Sequence, residues 1–236
     1  MDLQDVYLDW HPIDEDELAT ELILDAQERI SSFRANSPRI SGFETSNFHA
    51  AARVLQGVKE QNLAPGIRFC ELGCGFGVVT CLASMLGYEA YGIEIEQSLL
   101  EGGISLASDY NLGCHFVLGS YRPVNPINQA MNAKRSLASV HPKGGRRLRS
   151  TAYKESRLPA PKRRKAASLD GIDYKNDKGA EPTPDFSPFD FDLVYAYPWP
   201  AEIKFLEQQF SLRAKPGSLY VAYLGGSKFR LQRKPF

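Results

Sequence analysis

The stretch Phe69-Cys70-Glu71-Leu72-Gly73-Cys74-Gly75-Phe76-Gly77-Val78-Val79 decides the fold. An apolar run ends in an acidic residue and a turn with glycines at alternate positions, and a helical pattern follows. Seventeen residues past Gly77, a second apolar run, Tyr91-Gly92-Ile93, ends in Glu94. Strand, glycine turn, helix and strand in that order make a βαβ unit. A glycine turn at its first crossover is where nucleotide-type ligands sit.

The spacing narrows the ligand. A dinucleotide fingerprint has glycines at relative positions one, three and six, so that a pyrophosphate rests on the helix N-terminus. Here they fall at one, three and five, and Val78 holds the sixth place. Glu71 precedes the first glycine by two. A carboxylate there repels a diphosphate and suits a cationic ligand, which speaks against a nucleotide-dependent oxidoreductase. The plain alternative is a glycine turn that only lets a helix pack close to a sheet.

With Glu71 before GxGxG and Glu94 ending the next strand, the chain resembles the class I S-adenosyl-L-methionine (AdoMet)-dependent methyltransferases, whose first motif is an acidic residue followed by GxGxG. Tyr197-Pro198-Trp199-Pro200 and the closing run Tyr223-Leu224-Gly225-Gly226-Ser227-Lys228-Phe229-Arg230-Leu231 make it similar to a bacterial-type group of that class. The resemblance implies the cofactor AdoMet and the fold, not the acceptor.

It also implies site roles. Gly73 and Gly75 let the backbone approach the cofactor, and the helix opening near Gly77 points its positive end at the cofactor's carboxylate. Glu71 attracts the ammonium or sulfonium, directly or through water. Glu94 accepts hydrogen bonds from the ribose hydroxyls. Glu96 is its rival, with a second reading as a first-turn acid of the next helix. Ser120 stands where the family often has an acidic residue against the adenine amino group, and a hydroxyl is the weaker acceptor. Ile95 and Tyr121 flank the adenine or serve as core and rim.

Tyr197-Pro198-Trp199-Pro200 lies where amino-methylating members carry Asp or Asn, two prolines and an aromatic. The proline is kept and a phenol replaces the amide or carboxylate. This counts against nucleic-acid adenine or glutamine as acceptor. Tyr197 and Trp199 form an aromatic wall able to hold a cationic amine, or they pack on the sheet as strand-end aromatics. Glu71, Tyr197 and Glu44-Thr45-Ser46 are the candidates for a general base, and no catalytic residue is assigned.

The chain has 236 residues, 43% hydrophobic, enough for one domain with a sizeable core. No apolar run reaches the length of about 18 residues that a membrane span needs. The acidic start, Met1-Asp2-Leu3-Gln4-Asp5, is not a secretory signal. Cys70, Cys74, Cys81 and Cys114 show no metal-ligand spacing and read as buried free thiols of a reducing, cytoplasmic compartment. His115, opening an apolar run, reads as a packed strand residue.

The net charge of zero hides a division. Residues 121–165 hold thirteen Lys or Arg and one acid, Glu155, and the remainder is acidic to the same extent. The whole segment 122–188 is rich in Ser, Gly, Pro, Lys and Arg without an apolar period, the composition of a disordered insertion. Its basic part, 122–165, suits an acidic or nucleic-acid partner, or is a solvated tail. Lys162-Arg163-Arg164-Lys165 also fits a nuclear-import cluster.

The expected organisation is an N-terminal helical segment (1–64), the first half of an AdoMet-binding domain (65–121), the insertion (122–188) and the second half (189–236). Helices are predicted over 15–33, 47–61, 77–86, 97–110 and 200–212, with Ser46 as N-cap of the second and Pro200 in the first turn of the last. Gly102-Gly103 weakens the fourth. Strands are predicted over 67–72, 89–95, 115–118, 191–196 and 218–223, with an edge strand at 229–231. This alternation gives a Rossmann-like, doubly wound, mostly parallel α/β sheet. The expected function is AdoMet-dependent methyl transfer, with a protein or small-molecule amine favoured over nucleic acid as acceptor. The alternative is a non-catalytic module of the same fold whose insertion binds nucleic acid or an acidic partner.

Overall fold

β2 (Arg68–Leu72) is buried from Phe69 onward, as a strand covered on both faces must be. The computed structural model describes residues 2–10, 16–122 and 187–236. Around β2 the chain adds β1 (Gln4–Val6), α1 (Glu17–Asn36) and α2 (Phe48–Glu60) before it. After it come α3 (Val78–Met85), β3 (Glu89–Glu94), α4 (Gln97–Asp109) and β4 (His115–Leu118). Then follow β5 (Leu193–Ala196), α5 (Ile203–Arg213), β6 (Leu219–Tyr223) and β7 (Phe229–Arg233).

The sheet runs β1-β7-β6-β5-β2-β3-β4. β2 pairs in parallel with both β3 and β5, and only β7 runs against its neighbours. The chain winds outward from β2 through β3 to β4, then returns and winds the other way through β5 and β6. The reversal puts the switch point of this Rossmann-like, doubly wound fold between β2 and β5, where the strand ends splay and ligands bind.

The two windings place helices on opposite faces. Leu22, Leu55, Leu82, Leu106, Phe69, Tyr195 and Val221 form the core beneath α1 to α4. Val194, Tyr220, Phe189, Leu206 and Phe210 form the second core, beneath α5. Fully burying an aromatic or large aliphatic side chain contributes up to about 3 kcal/mol. Phe189, Phe191, Phe210 and Tyr220 of the second core are all fully buried.

Local chemistry sets the element ends. Asp16 caps α1 by accepting from the Leu18 and Ala19 N–H groups. Leu18 is 49% exposed, and the buried stripe of α1 begins at Leu22. The N-cap of α2 is Asn47, whose side chain accepts from the Ala50 N–H, so the expected Ser46 is one residue early. Pro200 lies in a turn before α5, whose N-cap position is Glu202. Gly102 and Gly103 do not break α4. The rings of Phe76 and Phe116 occupy the space their side chains would need.

β7 is not the edge. It pairs with β6 on one side and with β1 on the other, and β1 had no visible signal in its short, mixed sequence. His115 is exposed and stacks on Tyr91 at 4.5 Å between ring centroids rather than packing inside. The free thiols Cys70, Cys74 and Cys81 are buried and Cys114 is half-buried.

Most of the expected insertion, with His141, Arg146-Arg147 and Lys162–Lys165, lies outside the described residues. Its described flanks are Arg122, Ser187 and Pro188, the last of them buried. Among the described residues no helix is long and apolar enough to cross a membrane, and no cluster of His, Cys, Asp or Glu has the arrangement of a metal site.

Candidate functional site

The glycine turn is tied to the end of β3. The Gly73 and Cys74 N–H groups both donate to the Ile93 carbonyl, at 2.8 and 3.0 Å. The Gly75 N–H donates to Oε2 of Glu94 at 2.8 Å. The other oxygen of Glu94 accepts from the Ile95 and Glu96 N–H groups, at 2.7 and 2.9 Å. Glu94 thus clamps the turn to its own strand end while remaining 7% exposed. Glu96 stands at the N-cap position of α4 without making a side-chain cap, so the rival acid is the one outside this clamp.

All three glycines of the turn have positive φ: 70° at Gly73, 54° at Gly75 and 63° at Gly77. Their surroundings differ. A Cβ on Gly77 would collide with the Phe116 ring, so this glycine also serves the packing of α3. Among the described residues a Cβ on Gly73 would meet only the Tyr121 side chain, at 3.5 Å, so Gly73 forms the open side of the turn.

Glu71 faces the start of α3. Its Oε2 accepts from the Thr80 N–H at 2.9 Å and from the Thr80 hydroxyl at 2.6 Å. Gly77, at the N-cap position, has no side chain to offer, so Glu71 supplies one of the missing acceptors from the neighbouring strand. Burial pushes its carboxyl up to about 8, against the bonds from Thr80, and the nearby Glu94 adds to the rise. Glu71 and Glu94 lie within electrostatic reach of each other on the α3 side of adjacent strands. Glu71 is mostly protonated at neutral pH until something positive approaches.

The rim is aromatic and apolar. Ile95, Tyr197, Trp199 and Leu224, each just past the end of a strand, are 65%, 40%, 51% and 36% exposed. Ser120 is exposed beyond β4, and Tyr121 is half-buried. The Tyr121 hydroxyl donates to Oε1 of Glu202 at 3.4 Å, and Oε2 of Glu202 accepts from the Trp199 N–H at 3.2 Å. Glu202 therefore joins the adenine side of the expected site to the acceptor side. Tyr197 packs edge-on against Tyr223, with centroids 4.6 Å apart. The Tyr223 hydroxyl donates to the Gly226 carbonyl in the β6–β7 turn.

One wall was not foreseen. The segment between α1 and α2 crosses the carboxyl ends of the strands. A Cβ on Gly75 would press on the Phe43 ring at 3.0 Å, and a Cβ on Gly42 would lie 3.8 Å from the Trp199 indole nitrogen. Phe43 is held by Phe33, by Phe76 and by Arg34, whose guanidinium sits 5.0 Å over its ring. Gly42 followed by an aromatic, shortly before a helix cap, was the available signal. Glu202 and Thr80 carried none, since a helix-start acid and a helix-interior Thr are common anywhere. A separate depression lined by Ile23, His49, Arg53 and Leu82 lies at the far end of α3 from the glycine turn.

No protein-family description and no curated protein matches the chain. Among solved structures it is similar to an RNA methyltransferase from Salinibacter ruber in complex with S-adenosyl-L-homocysteine. Identity is 11%, over 82% of this chain and 94% of that one, with a TM-score of 0.45. An O-methyltransferase from Bacillus cereus, also in complex with S-adenosyl-L-homocysteine, is 11% identical over 89% of this chain and 67% of that one, with a TM-score of 0.44. An O-methyltransferase of tomaymycin synthesis from Streptomyces achromogenes, in complex with AdoMet, is 13% identical over 89% and 66%, with a TM-score of 0.42.

Proposed function

We propose that the chain is an AdoMet-dependent methyltransferase of class I type. The observation that carries the reading is the buried Glu94, turned toward the glycine turn and bonded to the Gly75 N–H, beside a second buried carboxyl, Glu71. A diphosphate would be repelled by the Glu94 carboxylate at the end of β3, and by Glu71 once ionised. The two acids suit a ligand with a sulfonium, an ammonium and a sugar diol, and no phosphate.

The residues present fit that group. Glu94 would accept from the ribose diol through the lone-pair capacity that its three backbone N–H partners leave. Gly73 and Gly75 form the cradle that a side chain would fill. Glu71 ionises when a cation arrives. Tyr121 and the exposed Ile95 flank the adenine, and Ser120 lies at its edge. AdoMet supplies an activated methyl group, so the protein's task is alignment and the exclusion of water. Phe43 closes one side of the turn, and Tyr197 and Trp199 border the space for the acceptor. The acceptor class favoured is a protein or small-molecule amine.

Calorimetric titration tests the cofactor. AdoMet and S-adenosyl-L-homocysteine should both bind folded protein, and the absence of heat at millimolar ligand would overturn the reading. Incubation of a cell extract with radiolabelled AdoMet and the protein, followed by fractionation, then shows where the methyl group goes. AdoMet binding with no label transferred would instead mark a non-catalytic module.

A further inference from the structure

We infer that the aromatic rim beside the glycine turn is a recognition box for an aliphatic ammonium group, formed by Tyr197, Trp199 and Tyr223 with Glu44 as its carboxylate. The inference rests on the methyltransferase reading and specifies its acceptor side, where the bound ammonium would give one proton to Glu44 or water before its nitrogen could take a methyl group.

Four observations converge. Tyr223 is 4% exposed and forms the floor, with Tyr197 standing edge-on against it at 4.6 Å. Trp199 and Tyr197 each keep a large exposed surface, at 51% and 40%. An exposed aromatic face attracts a cation placed over it. The segment from Gly42 to Ser46 runs alongside them, with Gly42 by the Trp199 indole. Glu44, which is exposed, is near enough to act on the Tyr197 hydroxyl. Burial first, then Tyr223 and Glu44, raise that phenol and keep it neutral.

The floor has one more polar group than it uses. The Tyr195 hydroxyl is buried, with Ser46 beside it but outside hydrogen-bond geometry, and it makes no hydrogen bond to the protein. Buried hydroxyls are normally satisfied. Tyr195 and Tyr197 are two residues apart, so they share one side of the chain as it leaves β5. A donor reaching past Tyr197 would find the Tyr195 oxygen.

The chemistry selects the ligand. Ring faces and a carboxylate attract a positive charge, and a neutral phenol adds no opposing one. Arg34 at the end of α1 is engaged with the Phe43 ring and carbonyl, while Arg39 of the connecting segment is exposed. A phosphate-bearing acceptor would face Glu44 and the ring faces with the wrong sign. The group that fits is a compact ammonium, from a free alkylamine or from a lysine side chain.

The two tryptophans are Trp10 and Trp199, so in a W10F background Trp199 is the sole indole reporter. Its fluorescence is titrated at pH 7.5 with n-butylammonium and with 1-butanol, the neutral isostere. The ammonium should change the signal saturably, and the alcohol should bind about tenfold more weakly or less, the size of a cation–π contribution. E44Q should weaken the ammonium about fivefold without altering the alcohol. Equal binding of the two ligands, or none at tens of millimolar, overturns the box. This comparison needs no further variant and stands even if E44Q fails to fold. An N-acetyl, C-amide Gly-Lys-Gly peptide separates the sources: tighter binding than butylammonium points to a protein side chain, equal binding to a small molecule. AdoMet titrated into the same sample keeps the two proposals apart. AdoMet binding without ammonium binding sinks the box alone, and ammonium binding without AdoMet binding sinks the cofactor reading alone.

Discussion

The Glu94 carboxylate reaches from the end of β3 to the Gly75 N–H, 2.8 Å away, and so fixes the glycine turn against the strand it must follow. The same carboxylate takes the Ile95 and Glu96 N–H groups. One side chain therefore sets the shape of the turn and faces the place where a sugar would lie.

Replacing Glu94 by Ala should harm both functions. The buried Gly75 N–H loses its acceptor, at about 1–3 kcal/mol, while the Ile95 and Glu96 N–H groups, only partly buried, can turn to water. Denaturant unfolding should show a loss in that range. AdoMet binding should weaken by at least about tenfold, since charge-assisted bonds contribute about 1.5–3 kcal/mol. E94Q keeps one acceptor oxygen, so it should lose less stability than the alanine variant and still lose most of the affinity. Calorimetry separates the two, and an E94Q protein that binds AdoMet like the parent would remove the ribose role.

Glu71 makes stability depend on pH. Its folded-state value of about 8 lies above the ordinary 4.5. The protonated form is favoured by folding, so the contribution is whole below about 4.5 and is lost as pH rises toward about 8. Unfolding free energy should fall across that window by up to a few kcal/mol. Glu71→Gln keeps an oxygen for Thr80 and should flatten the profile. An unchanged slope in the variant would assign the pH dependence elsewhere.

The same group gives a signal on binding. A cationic ligand near Glu71 should drive its proton off. At pH 7 the heat of AdoMet binding should therefore vary with the ionisation enthalpy of the buffer. In Glu71→Gln the heat should be independent of buffer.

Gly73 and Gly77 should respond differently to alanine. Both have positive φ and both incur backbone strain of about 1 kcal/mol or more. At Gly77 the added methyl also meets Phe116, so the melting temperature should drop more for Gly77→Ala. At Gly73 the space is open, so Gly73→Ala should fold and lose AdoMet affinity instead. Comparable effects of the two on melting would deny the open cradle.

Asn47→Ala should cost about 1 kcal/mol as the loss of a helix cap, while Ser46→Ala should cost little through capping. Thermal melts of both decide which residue starts α2.

The periodic elements were legible from sequence because burial follows their period. α2, with Ala51, Leu55 and Val58 on one face, and β2, apolar up to Glu71, could be placed almost to the residue. The site was legible where one residue type is required by the backbone, as at Gly73, Gly75 and Gly77, or where an acid ends an apolar strand, as at Glu94. Contacts made by the fold were not. Thr80 binding Glu71, Glu202 joining Tyr121 to Trp199, and Phe43 over Gly75 each connect residues whose sequence neighbourhoods carry no trace of the partner. Ser46 was taken for the cap in place of Asn47 because both are good caps and only the turn of the backbone distinguishes them. β1 escaped because three residues of mixed polarity have no period to read.

The pairing of Gln4–Val6 with Leu231–Arg233 has a temporal meaning. Synthesis makes β1 long before β7, so Gln4–Val6 has no partner until Leu231–Arg233 has been made. Until then β6 keeps an unpaired border.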